Sequence, residues 1–292
     1  MNNIKTIDPN DLSQNELHKH LLSAIAPRPI CFASTVDKNG NVNLSPFSYF
    51  NVFSSNPPVL VFSPSRSGKD NSLKHTHENI KEVAEVSINI VNYEMVEQMS
   101  LTSTSYEKGV NEFVKAGLTQ IPSKKIKPPR VKESPVSFEC SVFKIIELGN
   151  DPGAGNLILA KVELIHIDQK YLNNKGFLDT SVMDLVGRMG ENWYIRAKKE
   201  SLFEITKPIQ SKGIGVDNLP NNIKKSEMLT GSELACLANI EKLPNNTEIE
   251  KIIKKTNLSK TDTNSYYRLA KKEIKKKNIK KALAILMCID KS

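Results

Sequence analysis

Apolar-rich runs mark six strand candidates along the chain, Ile30–Val36, Val42–Leu44, Val59–Ser63, Glu85–Val91, Val136–Leu148 and Leu157–Asp168, and in Glu85–Val91 the residues Val86, Ile88 and Ile90 alternate with polar positions. A period of two is the signature of a strand that buries one face. Turn chemistry separates them. Asp37-Lys38-Asn39-Gly40 suits a tight hairpin, because glycine takes a positive φ without strain. Ser55-Asn56-Pro57-Pro58 and the run Gly149–Gly155 are further breaks. Helical spacing is scarcer. Asp11–Ile25 carries Leu12, Leu17, Leu21 and Leu22 on one side, with Asp11 as the expected cap, and Pro27 and Pro29 forbid its continuation. A short helix is expected from Lys74, a second over Tyr93–Thr104 and a third over Asn111–Ala116, followed by a Pro-rich loop over 117–135. Many strands, few helices and no recurring βα unit predict a mainly β protein built on an antiparallel barrel, not a doubly wound sheet.

The pattern changes after Lys207. Residues 208–247 are rich in Asn, Gly and Pro and show no clear period, whereas Asn246–Ser292 is Lys-rich and helical in spacing, with Tyr266, Leu269, Ala270, Ile274, Leu283 and Leu286 on one face. Two regions are therefore expected: a barrel domain over 1–207 and a helical C-terminal extension over 208–292.

Charge supports the division. The formal net charge is +9, yet 245–292 alone holds 13 Lys and Arg against 5 Asp and Glu, leaving 28 against 27 elsewhere. The basic character belongs to the tail, so it says little about the partners of the barrel. The tail is read as a solvated helix face, with binding to acidic lipid or nucleic acid as the alternative. No apolar run approaches the roughly 20 residues needed to span a bilayer. The N-terminus lacks a basic start followed by an apolar block, so a cytoplasmic protein with neither membrane nor nucleic-acid partners is expected. Cys31, Cys140, Cys236 and Cys288 form no C-x-x-C pair, which predicts reduced thiols and no zinc site. His18, His20, His75 and His77 lack metal-ligand spacing and are expected at the surface.

Two segments carry candidate chemistry. In Ser45–Asn51 (SPFSYFN), Pro46 removes a ladder donor, so the strand is expected to break there and free its neighbours' backbone groups for a heterocycle. Ser45 and Ser48 add hydroxyls, and Phe47 and Phe50 add apolar walls; a bulged barrel corner is the alternative. The loop after Ser63 offers Arg66, Lys69 and Lys74 beside Ser63, Ser65, Ser67 and Thr76, the groups a phosphate monoester requires. Thr76 lies at a helix start, where amide donors and the dipole favour an anion. A solvated basic loop is the alternative. Neither GxGxxG nor GxxxxGK[ST] occurs.

Taken in order, PRP, a strand, DxxGxxNLSPFSYFN, SSNPPVLVFSPSR and KHTxEN resemble the flavin reductase-like family of FMN-binding split-barrel proteins, with His75 where the family's KDTxxN has Asp. The likeness continues through Ser103–Tyr106, Gly109–Phe113, Ala116–Leu118, Lys127–Val131, Glu133–Val136, Glu139-Cys140 and Val186–Gly190, covering roughly residues 20–207. The resemblance implies a six-stranded antiparallel split β-barrel with peripheral helices, a homodimer, and FMN held near the dimer interface. By matching position, Ser45, Pro46, Phe47 and Ser48 would meet the isoalloxazine. Ser63, Arg66, Lys74 and Thr76 would meet the ribityl phosphate, Asn79 would order the phosphate loop, and Arg188 with Met189 and Gly190 would approach from the far end of the chain. The expected activity is hydride transfer from NAD(P)H through FMN to a flavin or other small acceptor, with no catalytic side chain because the flavin carries the chemistry. The alternative is an FMN-binding or storage protein without turnover.

Overall fold

The computed structural model describes residues 3–205, 208, 212–255 and 263–289. It divides into two compact units, Met1–Phe203 and Glu204–Ser292. The boundary expected at Lys207 lies outside the described residues, as do 256–262 and 290–292 of the basic tail.

The first unit opens with α1 (Gln14–Ala24), followed by β1 (Arg28–Pro29), β2 (Cys31–Val36), β3 (Val42–Phe47), β4 (Phe50–Ser55), β5 (Pro58–Phe62), α2 (His75–Glu82) and β6 (Glu85–Ile90). Next come a 3₁₀ turn at Tyr93–Met95, α3 (Val96–Leu101), α4 (Glu112–Ala116), β7 (Gln120–Ile121), β8 (Arg130–Val131), β9 (Val136–Glu147), β10 (Asn156–Ile167), β11 (Leu185–Arg188) and β12 (Tyr194–Ala197). Ser13 caps α1, not Asp11: its hydroxyl accepts from the Glu16 amide while the Glu16 carboxylate accepts from the Ser13 amide, a capping box.

Seven antiparallel strands form the main sheet, in the order β3-β2-β6-β9-β10-β5-β4. Its two edge strands, β3 and β4, are consecutive in the chain and joined only by Ser48 and Tyr49. Edges tied by two residues must lie near one another, so the sheet curls into a barrel that is open between them: the split antiparallel barrel. The six expected strands are all present, and β4 is the seventh. The expected break at Pro46 does not occur. β3 runs through it, with Pro46 opposite Phe32, because an edge strand tolerates proline where a central one does not.

β2 is buried along its whole length because both its faces are covered. Phe32 packs outward with Met95, Met99, Phe113 and Leu118 of the helical layer. Cys31 and Ala33 face the barrel interior with Phe62, Ile80, Ile88, Cys140 and Ile158. Burial pushes the Cys31 and Cys140 thiols up. The expected loop over 117–135 contains the small β7–β8 pair. Fully buried Glu139 fixes its outer part, accepting from the Lys124 amide at 2.8 Å and the Lys125 amide at 2.6 Å, with His166 Nε2 also at 2.6 Å.

The second unit contains α5 (Asn221–Lys224), α6 (Gly231–Ala238), α7 (Asn246–Lys255), α8 (Thr263–Lys275) and α9 (Ile279–Met287). α5 and α6 were not expected from the period. A Thr230–Glu233 capping box starts α6. The helical face read in the tail is the core: Tyr266 and Ala270 of α8 meet Leu283 and Leu286 of α9, Leu237 of α6 and Ile249 of α7. Several tail lysines pair with carboxylates, among them Lys280 with Glu248 at 2.6 Å and Lys281 with Glu273 at 3.2 Å. No helix among the described residues is long and apolar enough to cross a membrane.

Candidate functional site

A cleft of about 490 Å³ opens beside the edge strand β3, a volume within the usual range for small-molecule sites. Ser45, Pro46 and Phe47 form one wall, Ser67–Lys74 the second, and Thr102–Tyr106 with Glu112 the third. The structure thus brings together four of the ten expected site residues: Ser45, Pro46, Phe47 and Lys74. Phe47 is held by Phe62, ring centroids 5.3 Å apart and tilted by 42°.

The other expected residues do not line this cleft, and their side chains are engaged elsewhere. Ser63 is buried, and its hydroxyl accepts from the Asn156 amide at 3.0 Å. Thr76 is fully buried and accepts from Asn43 Nδ2 at 3.0 Å. Asn79 donates to Thr35 Oγ1 at 3.2 Å, which ties α2 to β2 and makes no bond to the basic loop. Ser48 lies in the β3–β4 connection with its hydroxyl 3.5 Å from Arg28 Nε. Arg188 donates to the Glu191 carbonyl at 2.6 Å and stacks 4.6 Å from the Tyr194 ring.

Arg66 shapes the loop. Its amide donates to the Ala154 carbonyl at 2.8 Å and its Nη1 to the Asn71 carbonyl at 3.1 Å, while its buried Nε has no hydrogen-bond partner among the described residues. Asp70 folds the tip: hydrogen bonds from Ser67 and Ser72 hold its carboxyl down at about 2. Lys74 is the N-cap of α2, and no side chain caps that helix. Exposed cations, an uncapped helix start and an unpaired guanidinium nitrogen in one loop are donors without acceptors, which fits a phosphate.

His77 departs from the surface position expected of it. It is wholly buried on α2, 3.6 Å from Glu147, with neither ring nitrogen hydrogen-bonded among the described residues. Burial, then Lys81, push its imidazole down, against the opposing pull of Glu147. Glu112 carries a role that residue types alone did not mark. It is 3% exposed at the cleft, accepts from the Leu44 amide at 2.8 Å, and burial pushes its carboxyl up. The detectable signal was the N-cap Asn111 before it, which places Glu112 in the first turn of α4.

Residues 23–181 match the Flavin reductase like domain. The chain belongs to the flavin reductase-like family, and that membership puts its chemistry with the flavin-dependent oxidoreductases. An uncharacterized protein of Aquifex aeolicus is 36% identical over 65% of this chain and 94% of its own length. Nitrilotriacetate monooxygenase component B from Bacillus cereus superposes with a TM-score of 0.64 at 28% identity, over 71% of this chain and all of that one. A split barrel domain protein of Shewanella frigidimarina gives 0.58 at 26% identity, over 68% of this chain and 96% of its own.

Proposed function

We propose that the chain binds FMN non-covalently in the cleft beside β3 and works as an oxidoreductase of flavin reductase type. The observation that carries this reading is the meeting of Ser45-Pro46-Phe47 with Lys74 and the uncapped start of α2 in one cleft. When bound, FMN supplies the hydride chemistry, taking reducing equivalents from NAD(P)H for a flavin or other small acceptor.

The residues divide the work. Phe47 offers an apolar wall to a planar ring, and Ser45 offers a hydroxyl to its edge. Lys74 and the first amides of α2 take phosphate charge, and Arg66 supplies a further guanidinium donor. Ser63, Thr76 and Asn79 hold the loop and α2 in place through their protein partners. Ser48 and Arg188 extend the site at its far end. The exposed apolar residues of β4, Val52 and Phe53, with Phe143 on β9 and Ile165 on β10, support a homodimer.

FMN titration followed by absorbance, then anaerobic mixing with NADH or NADPH, tests the proposal. Uptake of yellow cofactor followed by bleaching is the expected result. Uptake without bleaching makes the protein an FMN carrier, and no measurable FMN affinity overturns the reading.

A further inference from the structure

We propose that α1 is a strap fastened across the two ends of the cofactor site, and that Arg28 is the positioning residue that latches its C-terminal end. The strap rests on the FMN reading above; the latch does not.

α1 needs an explanation because it buries none of its residues. Leu21 and Ile25 at its end are both exposed, and Leu17 and Leu22 are only half-buried. An isolated helix of this length is marginal in water. What keeps it in place is at its ends.

At the N-terminal end, the Gln14 side chain lies on two glycines. A Cβ placed on Gly153 would collide with the Gln14 carboxamide, whose Cδ would be 3.2 Å away, and one on Gly68 would meet Gln14 Oε1 at 3.7 Å. Gly68 belongs to the basic loop, and Gly153 is bound to the same loop through its amide and the Arg66 carbonyl at 3.3 Å. This end therefore rests on the part of the site assigned to the phosphate.

At the C-terminal end, the 5%-exposed Arg28 gathers three separate segments. Nη1 donates to the Leu22 carbonyl at 2.5 Å and the Ile25 carbonyl at 2.7 Å, groups at the helix end that lack intrahelical partners. Nη2 donates to the Met189 carbonyl at 2.9 Å, and Nε reaches the Ser48 hydroxyl at 3.5 Å. A planar fork can serve these acceptors together, whereas an ammonium cannot. Two glycines allow the close fit. A Cβ on Gly190 would strike the Ser23 hydroxyl and stand 3.2 Å from Ser23 Cα, and one on Gly187 would stand 2.9 Å from Pro27 Cβ. The 189–193 turn is itself closed, Met189 donating to the Trp193 carbonyl at 2.9 Å. The 11 residues of α1 rise about 16 Å between these attachments. Burial lowers the Arg28 pKa, with Arg188 acting in the same direction and Tyr49 against it.

The test uses the full chain and its sole tryptophan, Trp193, which is 73% exposed on the latched turn. In Arg28→Met, amide exchange over 14–24 should speed up at least about tenfold while β2 and β6 keep their protection, because the opening is local. Trp193 anisotropy should fall, and FMN should dissociate about tenfold faster, with Arg28→Lys in between. Unchanged exchange in α1 overturns the latch. A freed α1 with unchanged FMN dissociation overturns the strap. If the wild-type chain takes up no FMN, the reading of the site fails, and exchange with Trp193 anisotropy still decides the latch. If Arg28→Met does not fold, two milder variants decide. Gly190→Ala should wedge the turn off Ser23 and move Trp193. Gln14→Ala should speed FMN dissociation and leave Trp193 as it was. The converse pattern overturns the strap.

Discussion

The two ends of the cleft are built on different principles. The end assigned to the ring is a continuous strand, β3, whose residues Ser45, Pro46 and Phe47 face the cleft directly. The end assigned to the phosphate is a loop and a helix start in which Ser63 and Thr76 have turned inward, each accepting from a protein amide or amide side chain. Both ends read alike in sequence, as hydroxyls near apolar or basic groups. Their difference shows that a residue pattern marks a site without separating the groups that touch a ligand from those that hold the touching groups still. Substitutions can separate them, since a holding residue shows itself in stability and a touching residue in affinity.

The largest effect is expected at the ring end, where one residue does both. Phe47 packs on Phe62 and walls the cleft. Phe47→Ala should cost about 3 kcal/mol in urea unfolding, the low end for a truncated aromatic because Phe47 is only half-buried. FMN affinity should fall as well. A loss of affinity at unchanged stability would place Phe47 outside the core.

Thr76→Val comes next and isolates holding from touching. It keeps the shape and strands the Asn43 carboxamide donor in a buried site, for a cost of about 1–3 kcal/mol. FMN affinity at a temperature where the variant remains folded should change little. A large affinity loss with little change in stability would mean that the Thr76 hydroxyl touches the phosphate after all.

What was legible in the sequence follows the same division. The six expected strands are present because each buries at least one face in the barrel wall, β2 burying both, whereas α1, which buries none of its residues, starts at its Ser13 capping box and not at Asp11. β4 escaped because it is an edge strand whose outer residues are exposed, Phe53 to 70%, so burial never imposed alternation on it. The break at Pro46 was the right consequence for a central strand and the wrong one for an edge. α5 and α6 are too short for a period to show; only the Thr230–Glu233 capping box announced the second. His77 looked like a surface residue because its spacing says nothing of the barrel wall behind α2. The family was readable as the order of motifs along the chain. Which of its hydroxyls face inward depends on Asn43 and Asn156, distant in sequence from the residues they engage.

Lys74→Ala should have a smaller and more selective effect. The side chain is exposed and makes no cap, so stability should move by less than about 0.5 kcal/mol. FMN affinity should fall about tenfold, or ~1.4 kcal/mol, while affinity for riboflavin, which lacks the phosphate, should not change. Equal losses for both ligands would move Lys74 to the ring end and erase the distinction between the two.

The smallest effect tests the wall between them. Glu112 is buried at the cleft, and desolvation raises its carboxyl above the ordinary value of 4.5 despite the bond from the Leu44 amide. A carboxyl with a raised folded pKa holds its proton more tightly folded than unfolded. Its contribution is therefore complete below about pH 4.5 and lost as pH rises through the folded value, at no more than ~1.4 kcal/mol per pH unit. Glu112→Gln keeps an acceptor for Leu44 and cannot ionise. Urea midpoints measured between pH 4 and 8 should fall less with rising pH in the variant than in the wild type, so that the variant gains relative stability toward neutrality. Parallel profiles would mean that the cleft hydrates Glu112 well enough to ionise it freely, and the third wall would then be as wet as the basic loop opposite.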